Sequence, residues 1–309
     1  MRHYLDLADW RSEEIRELLD LARFLRLEFR SGGNKAVLAG KTLAMIFQKP
    51  SLRTKVSFET GMNQLGGAAL MLGPDEIGLG KRESTGDVAK SLSRFVQCIM
   101  ARVFAHETIL ELGKHATVPV INGLTDSQHP CQALADVLTI QDRHGRVEGL
   151  RIAFVGDGNN VAFSLGQAVA HLGGHFAIAS PEGYSFSEDD AETIAQIAAF
   201  NGSTFETFTD PVKAVRDADV IYTDTWVSMG QESDTERRLR DFREYQVNAN
   251  LLKYASRRAI VMHCMPAHRG QEITDEVMDG ARSAVLDQAE NRLHAQKAIL
   301  VKLMTHQQA

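Results

Sequence analysis

The chain has little cysteine. Three residues, Cys98, Cys131 and Cys264, are scattered over 309 positions, and none forms a C-x-x-C pair. An odd count without paired spacing suits a reducing compartment better than a disulfide framework. Long apolar runs are missing as well: no stretch of about 18 apolar residues occurs, so no membrane span is expected. The first residues, Met1 to Leu7, contain no apolar signal core, and acidic residues follow at once, unlike a transit peptide; a cytoplasmic protein is expected. Excess positive charge is absent too. A net charge of −6 argues against a nucleic-acid binder, while leaving room for a local basic pocket that takes a small anion. What remains is ordinary: 44% hydrophobic and 24% charged residues belong to a globular protein, and the length fits two domains with separate cores.

The chain is organised around Ser51-Leu52-Arg53-Thr54-Lys55. Upstream, Thr42 to Phe47 is an apolar run of strand length, ended by Gln48-Lys49-Pro50. Downstream, Leu52, Val56, Phe58, Met62 and Leu65 fall on one helical face, and Gly66-Gly67 ends the pattern. Ser51 is a natural N-cap, which leaves the first free N–H groups of the helix pointing outward. With two hydroxyls and the fork of Arg53 they make an anion site suited to phosphate. By itself the stretch reads equally well as a capped helix with a solvated Arg53 and Lys55.

Spacing of Ile15, Leu18, Leu19, Ala22 and Leu25 predicts an amphipathic helix from about residue 12 to 29. Gly40-Lys41-Thr42 invites a P-loop reading, but Lys35 stands where the first glycine belongs, and the motif precedes its strand instead of following it. Residues 66 to 82 are glycine-rich and read as a long mobile loop. Phe95 to Phe104 contains a buried strand in which Arg102 must meet a carboxylate or a bound anion, unless it lies at an exposed strand end. Val118 to Asn122 is a further strand, with a turn at Gly123 to Asp126. His129-Pro130-Cys131-Gln132 then opens a helix, a second place where an anion or carbonyl could be received. Gly145 to Gly149 marks a domain boundary.

The second half alternates. Strand-like runs at 151–155, 175–179, 219–223 and 259–262 are separated by helical segments, the pattern of a parallel sheet covered by helices. Gly156-Asp157-Gly158-Asn159-Asn160 resembles the opening of a dinucleotide fingerprint, but its third small residue is misplaced and no acid stands ready to hold a ribose, so no nicotinamide cofactor is expected. Asn159 and Asn160 instead offer amides at the strand ends, where ligands of such sheets bind. His263, Cys264 and His268 could be read as a metal cluster, yet their spacing does not match zinc sites, and no metal is expected.

Taken in order, Ser51-Leu-Arg-Thr54, Arg102, His129-Pro-Cys-Gln132, Gly156 to Asn160, Asp224 with Ser228-Met229-Gly230, His263-Cys-Met-Pro266 and Asn291-Arg292 resemble the aspartate/ornithine carbamoyltransferase family over essentially the whole chain. The Ser-Met-Gly and His-Cys-x-Pro pieces mark its ornithine branch. The resemblance implies an α/β fold of two domains, each a mostly parallel sheet flanked by helices on both faces. Residues 1–147, completed by a C-terminal helix over 290–309, would bind carbamoyl phosphate through Ser51, Leu52, Arg53, Thr54, Arg102, His129, Gln132 and Arg292. Residues 148–289 would bind ornithine through Asn160, Asp224, Ser228, Met229, Cys264 and Met265. Arg53, Arg102, His129 and Cys264 would be catalytic. It also implies transfer of the carbamoyl group to the ornithine side-chain amine, giving citrulline, with no cofactor, no nucleic-acid or membrane partner, and a homotrimeric assembly. Another amine, such as putrescine or N-acetylornithine, or a non-catalytic binder of phosphate compounds, stays open as an alternative.

Overall fold

The structure, a computed structural model, describes residues 1–80, 82–228, 230 and 232–305. They divide into two compact units, residues 1–135 with 290–309 and residues 136–289.

Unit 1 begins with helix α1 (Ser12–Arg30), which buries the stripe Ile15, Leu18, Leu19, Ala22 and Leu25. Then come β1 (Thr42–Phe47), α2 (Leu52–Gln64), β2 (Ala68–Leu72), α3 (Pro74–Ile77), α4 (Thr85–Leu92), β3 (Cys98–Arg102), α5 (His106–His115), β4 (Val120–Leu124) and the start of α6 (Pro130–His144). The four strands pair in parallel in the order β2-β1-β3-β4. Every residue of β3 and β4 is buried, as expected where helices cover both faces of a parallel sheet.

Three expectations change here. The segment 66–82 is not one irregular loop: it contains β2 and α3. β2 is a half-exposed edge strand, so its pairing with β1 decides its conformation and its own periodicity carries little signal. Gly78 ends α3 at φ 52°, and a Cβ there would come within 2.7 Å of Arg82 Cβ. The buried face of α2 is Thr54, Ser57, Phe58, Gly61 and Met62, whereas Leu52 and Val56 are exposed. And β4 runs on through Gly123, where an added Cβ would lie 2.5 Å from Met100 Sδ, so the turn starts later than expected.

Unit 2 holds the rest of α6, then β5 (Arg151–Val155), α7 (Asn160–His171), β6 (His175–Ala179), α8 (Glu188–Phe200), β7 (Phe205–Phe208), α9 (Pro211–Val215), β8 (Val220–Thr223), α10 (Thr235–Asp241), β9 (Ile260–His263), α11 (Asp275–Met278) and the first turn of α12 (Val285–Thr305). Its five strands are parallel in the order β7-β6-β5-β8-β9. β7, a half-exposed edge strand like β2, was not expected from the sequence. The chain enters unit 2 inside α6, upstream of Gly145, and leaves it inside α12.

Strand order reverses between β1 and β3 in unit 1 and between β5 and β8 in unit 2. At such a point the following helices diverge to opposite faces, which leaves a crevice beyond the carboxyl ends of the strands. Ser51 to Thr54 follow β1 and Arg102 ends β3; Asn159 and Asn160 follow β5 and Asp224 follows β8.

Beneath β8 a polar knot is fully buried. Tyr222 donates to Asp136 Oδ2 (3.1 Å), while Gln288 Nε2 donates to Asp136 Oδ1 (2.7 Å) and to the Tyr222 hydroxyl (2.9 Å). Removing one member leaves buried partners unfilled, a loss of about 1–3 kcal/mol. Tyr222→Phe is therefore expected to lower the unfolding free energy by that amount, read as a lower urea midpoint with little change in slope, as followed by circular dichroism.

Candidate active site

In unit 1, Ser51 has the extended backbone of an N-cap, and its Oγ accepts from Thr54 N at 3.3 Å and donates to Thr54 Oγ1 at 3.1 Å. Leu52 is 73% exposed, so its side chain is no part of a pocket and only its backbone belongs to the helix start. Arg53 is half-buried and Thr54 fully buried. The loop entering α2 is clipped to the end of β3: Gln48 N donates to the Arg102 carbonyl (2.9 Å), and Phe104 N donates to Gln48 Oε1 (3.0 Å). This places buried Lys49 with its Nζ 4.3 Å from the centre of the Phe104 ring. Arg102, also buried, closes the strand.

His129 and Gln132 are presented by a tight turn. Thr125 N donates to the Gln128 carbonyl (2.8 Å), Gln128 N to Thr125 Oγ1 (3.1 Å), and Gln128 Nε2 to Asp6 Oδ2 (2.8 Å). His129 is buried, and its pKa falls well below the usual imidazole value, first through burial and then through the charges of Arg292, Arg102 and Arg53. It is therefore a neutral ring at pH 7, held among three guanidiniums. The Cys131 thiol beside it donates to the Asn122 carbonyl (3.3 Å) and is pushed up to about 12 by burial, which makes it a poor nucleophile. Arg292, from the last helix, donates through Nη1 to Gln132 Oε1 (2.7 Å) and through Nη2 to Thr54 Oγ1 (3.1 Å). One buried guanidinium thus joins the Ser-x-Arg-Thr and His-Pro-x-Gln segments.

In unit 2, Asp224 is buried at the end of β8. Its Oδ1 receives the Cys264 thiol (3.1 Å) and its Oδ2 receives Asn159 Nδ2 (3.0 Å). Asn159 caps α7, its Oδ1 accepting from Val161 N and Ala162 N at 3.0 Å each; Asn160 is the first residue of that helix and is half-buried. Ser228 is half-buried, and Met229 lies outside the described residues. Met265 has a left-handed backbone (φ 57°). Ligand-capable atoms of Asp224, His263 and Cys264 lie within 4.8 Å of one another, but both His263 nitrogens are engaged, Nε2 with Glu272 Oε1 and Nδ1 with Met265 N, at 2.9 Å each.

Several functional neighbours escaped sequence reasoning. Arg238, on α10, is buried; it donates to Asp157 and to the Trp226 carbonyl, with its guanidinium carbon 4.9 Å from the Tyr184 ring centre. It fastens the turn after β5 to the loop after β8. Burial raises the Asp157 carboxyl to about 6 despite the opposing pull of Arg238. In sequence Arg238 is one of several charges on a short polar helix, and Glu272 and Lys49 are equally inconspicuous. Asn159 carried a visible signal, a cap residue at a strand-to-helix turn.

The arrangement offers unit 1 a cationic, hydroxyl-rich helix start for a phosphate and a neutral imidazole with an amide for a carbonyl. Unit 2 offers a carboxylate, a thiol and an amide to an amine.

Residues 2–142 match the family model of the aspartate/ornithine carbamoyltransferase carbamoyl-P binding domain, and residues 148–303 that of the Asp/Orn binding domain. The anabolic ornithine carbamoyltransferase of Pyrococcus furiosus is 52% identical over 303 residues, 98% of this chain and 96% of the relative. The solved structure of ornithine carbamoyltransferase from Pyrococcus furiosus superposes with a TM-score of 0.97 at 52% identity, over 99% of this chain and 97% of that one. The anabolic ornithine carbamoyltransferase of Campylobacter jejuni superposes at 0.94 with 36% identity, over 99% and 100%. An acetylornithine transcarbamylase complexed with acetylcitrulline gives 0.89 at 30%, over 98% and 99%.

The state of His129 has a measurable consequence. Its folded pKa lies below the unfolded value of about 6.5, so as pH falls through 6.5 the unfolded chain takes up a proton that the folded chain refuses. This contribution to stability is present above that pH and lost below it. In thermal melts from pH 7.5 to 5.0, His129→Asn is expected to lose less stability than the parent chain.

Proposed function

The chain belongs to the aspartate/ornithine carbamoyltransferase family, and on that premise we propose how its residues divide the work. The enzyme is a carbamoyl-group transferase: it moves the carbamoyl group of carbamoyl phosphate to the side-chain amine of L-ornithine, giving L-citrulline and phosphate. Relatives named as anabolic support the arginine-biosynthetic direction.

Carbamoyl phosphate belongs to unit 1. Its phosphate is received by the N–H groups at the start of α2, the hydroxyls of Ser51 and Thr54, and the guanidinium of Arg53, with Arg292 behind them. Arg102, His129 and Gln132 face the carbamoyl carbonyl, and neutral His129 donates a hydrogen bond to the oxygen as it gains charge. The observation that carries this reading is the pair of hydrogen bonds that Arg292 donates to Thr54 and Gln132, which puts both segments on one guanidinium. Ornithine belongs to unit 2, where Asn160, Asp224, Ser228, Met229 and Met265 hold the amino acid and Cys264 lies beside the reacting amine.

The deprotonated amine attacks the carbamoyl carbon, a tetrahedral intermediate forms, and its collapse expels phosphate. No covalent enzyme intermediate is required. The protein's part is orientation and stabilisation of the oxyanion and the leaving phosphate. A homotrimer in the cytoplasm fits the family resemblance, and the exposed apolar side chains of Leu52 and Val56 on α2 and Leu70 and Met71 on β2 are compatible with subunit contacts.

The test is citrulline and phosphate release with L-ornithine, putrescine, N-acetyl-L-ornithine or L-aspartate as acceptor. Ornithine alone is expected to turn over, and Arg53→Ala to lower kcat by about 10²–10³. Turnover with another acceptor would overturn the ornithine assignment; near-full activity of Arg53→Ala would overturn the phosphate assignment.

A further inference from the structure

Glu272 has no accessible surface, yet its carboxylate is built into both loops that carry the ornithine-side residues. One oxygen, Oε1, accepts from His263 Nε2 (2.9 Å) and from the backbone N–H of His268 (2.6 Å). The first contact fixes the ring of His263. With Nε2–H committed to the carboxylate, Nδ1 is left as an acceptor, and it takes the N–H of Met265 at 2.9 Å. This bond closes a turn over Cys264 and holds Met265 in the left-handed region (φ 57°), which an unbranched non-glycine residue keeps only when its surroundings over-determine it. The turn aims the Cys264 thiol at Asp224 Oδ1.

The second contact reaches the other loop. His268 Nδ1 lies 3.0 Å from Thr225 Oγ1, and the Thr225 hydroxyl donates to the Val227 carbonyl at 3.0 Å. Because that hydroxyl has only one proton, His268 Nδ1–H is the donor to it. Glu272, His268 and Thr225 therefore brace the segment between Asp224 and Ser228.

We propose that Glu272 is the positioning residue of the ornithine side, its Oε1 setting the Cys264 turn through His263 and the Asp224–Ser228 loop through His268. The proposal rests on the reading that Asp224 and Cys264 receive ornithine. A buried carboxylate is a poor stabiliser, since loss of hydration offsets its contacts; its fixed directions are what a site needs. Misplacement of a reacting group by about 1 Å costs up to about 10² in rate, so a loosened turn is felt in ornithine use.

The experiment is steady-state citrulline kinetics on the full chain for wild type, Glu272→Ala, Glu272→Gln and His268→Ala, together with the rate of iodoacetamide labelling. Cys98 and Cys131 are buried, so labelling of the folded protein reports Cys264. Glu272→Ala is expected to raise the ornithine KM at least about tenfold with the carbamoyl phosphate KM within about twofold, and to label faster. Glu272→Gln, which keeps an oxygen acceptor, recovers most of the loss. A folded Glu272→Ala with unchanged ornithine KM and labelling rate overturns the proposal. Should Glu272→Ala fail to fold, His268→Ala decides: a raised ornithine KM at constant carbamoyl phosphate KM supports the bracing role, and an unchanged one overturns it. Absence of citrulline with the wild-type chain would overturn the underlying reading, and the proposal with it.

Discussion

A guanidinium withdrawn from water seeks acceptors for its N–H groups, and in unit 1 Arg292 finds them on two different segments. Its two terminal nitrogens are spent on Thr54 and Gln132, residues from helices that follow different strands. Neither segment is positioned by its own sequence alone: Ser51 caps α2 wherever that helix lies, and Pro130 starts α6 wherever its strand delivers it. The shared guanidinium turns two local motifs into one surface. Burial first, and then its charge with those of Arg102 and Arg53, keeps His129 neutral, so the cations gathered here reinforce the protonation state that burial already imposes on the group beside them.

Unit 2 solves a related problem with carboxylates. Asp224 is buried, and its two oxygens are occupied by a thiol and an amide, which leaves it directed as well as charged. Around it stand two further acids, half-buried Asp157 with Arg238 and fully buried Glu272 with His263. None of these is a strong source of stability, because desolvation offsets much of each attraction. Their common effect is geometric: every loop that leaves the carboxyl end of β5, β8 or β9 is tied by a charged group to its neighbour or to its own turn.

How much of this could be read in the sequence depends on whether the information was local. The Ser51 cap, the α1 stripe and the buried strands β3, β5 and β6 are local, and composition and spacing reveal them. β2 and β7 are edge strands whose conformation comes from the neighbour they pair with, so their own residues say little. On α2 the expected positions Phe58, Met62 and Leu65 are buried, but Leu52 and Val56 are exposed, because Thr54, Ser57 and Gly61 are drawn inward by packing and hydrogen bonds and not by hydrophobicity. In the site, the expected residues that match the family's motif were named from that resemblance. Arg238 and Glu272 were not, since a buried charge and a solvated charge look alike until the fold supplies the partner.

The bond from Arg292 to Thr54 spans 238 positions of chain, and the same helix carries Lys297, whose ammonium is held by Asn34 and Gln64 at 2.7 and 2.9 Å. During synthesis, then, the first unit emerges without the element that fills its core and joins its two recognition segments. At about 5–20 residues per second, the nascent chain waits several seconds to tens of seconds for its last helix while unit 2 is made. Through that interval the groups that will meet α12 stay without their final partner, including the face of α2 around Gly61. The order of translation thus makes the N-terminal half the last to be finished, although it is the first to be born.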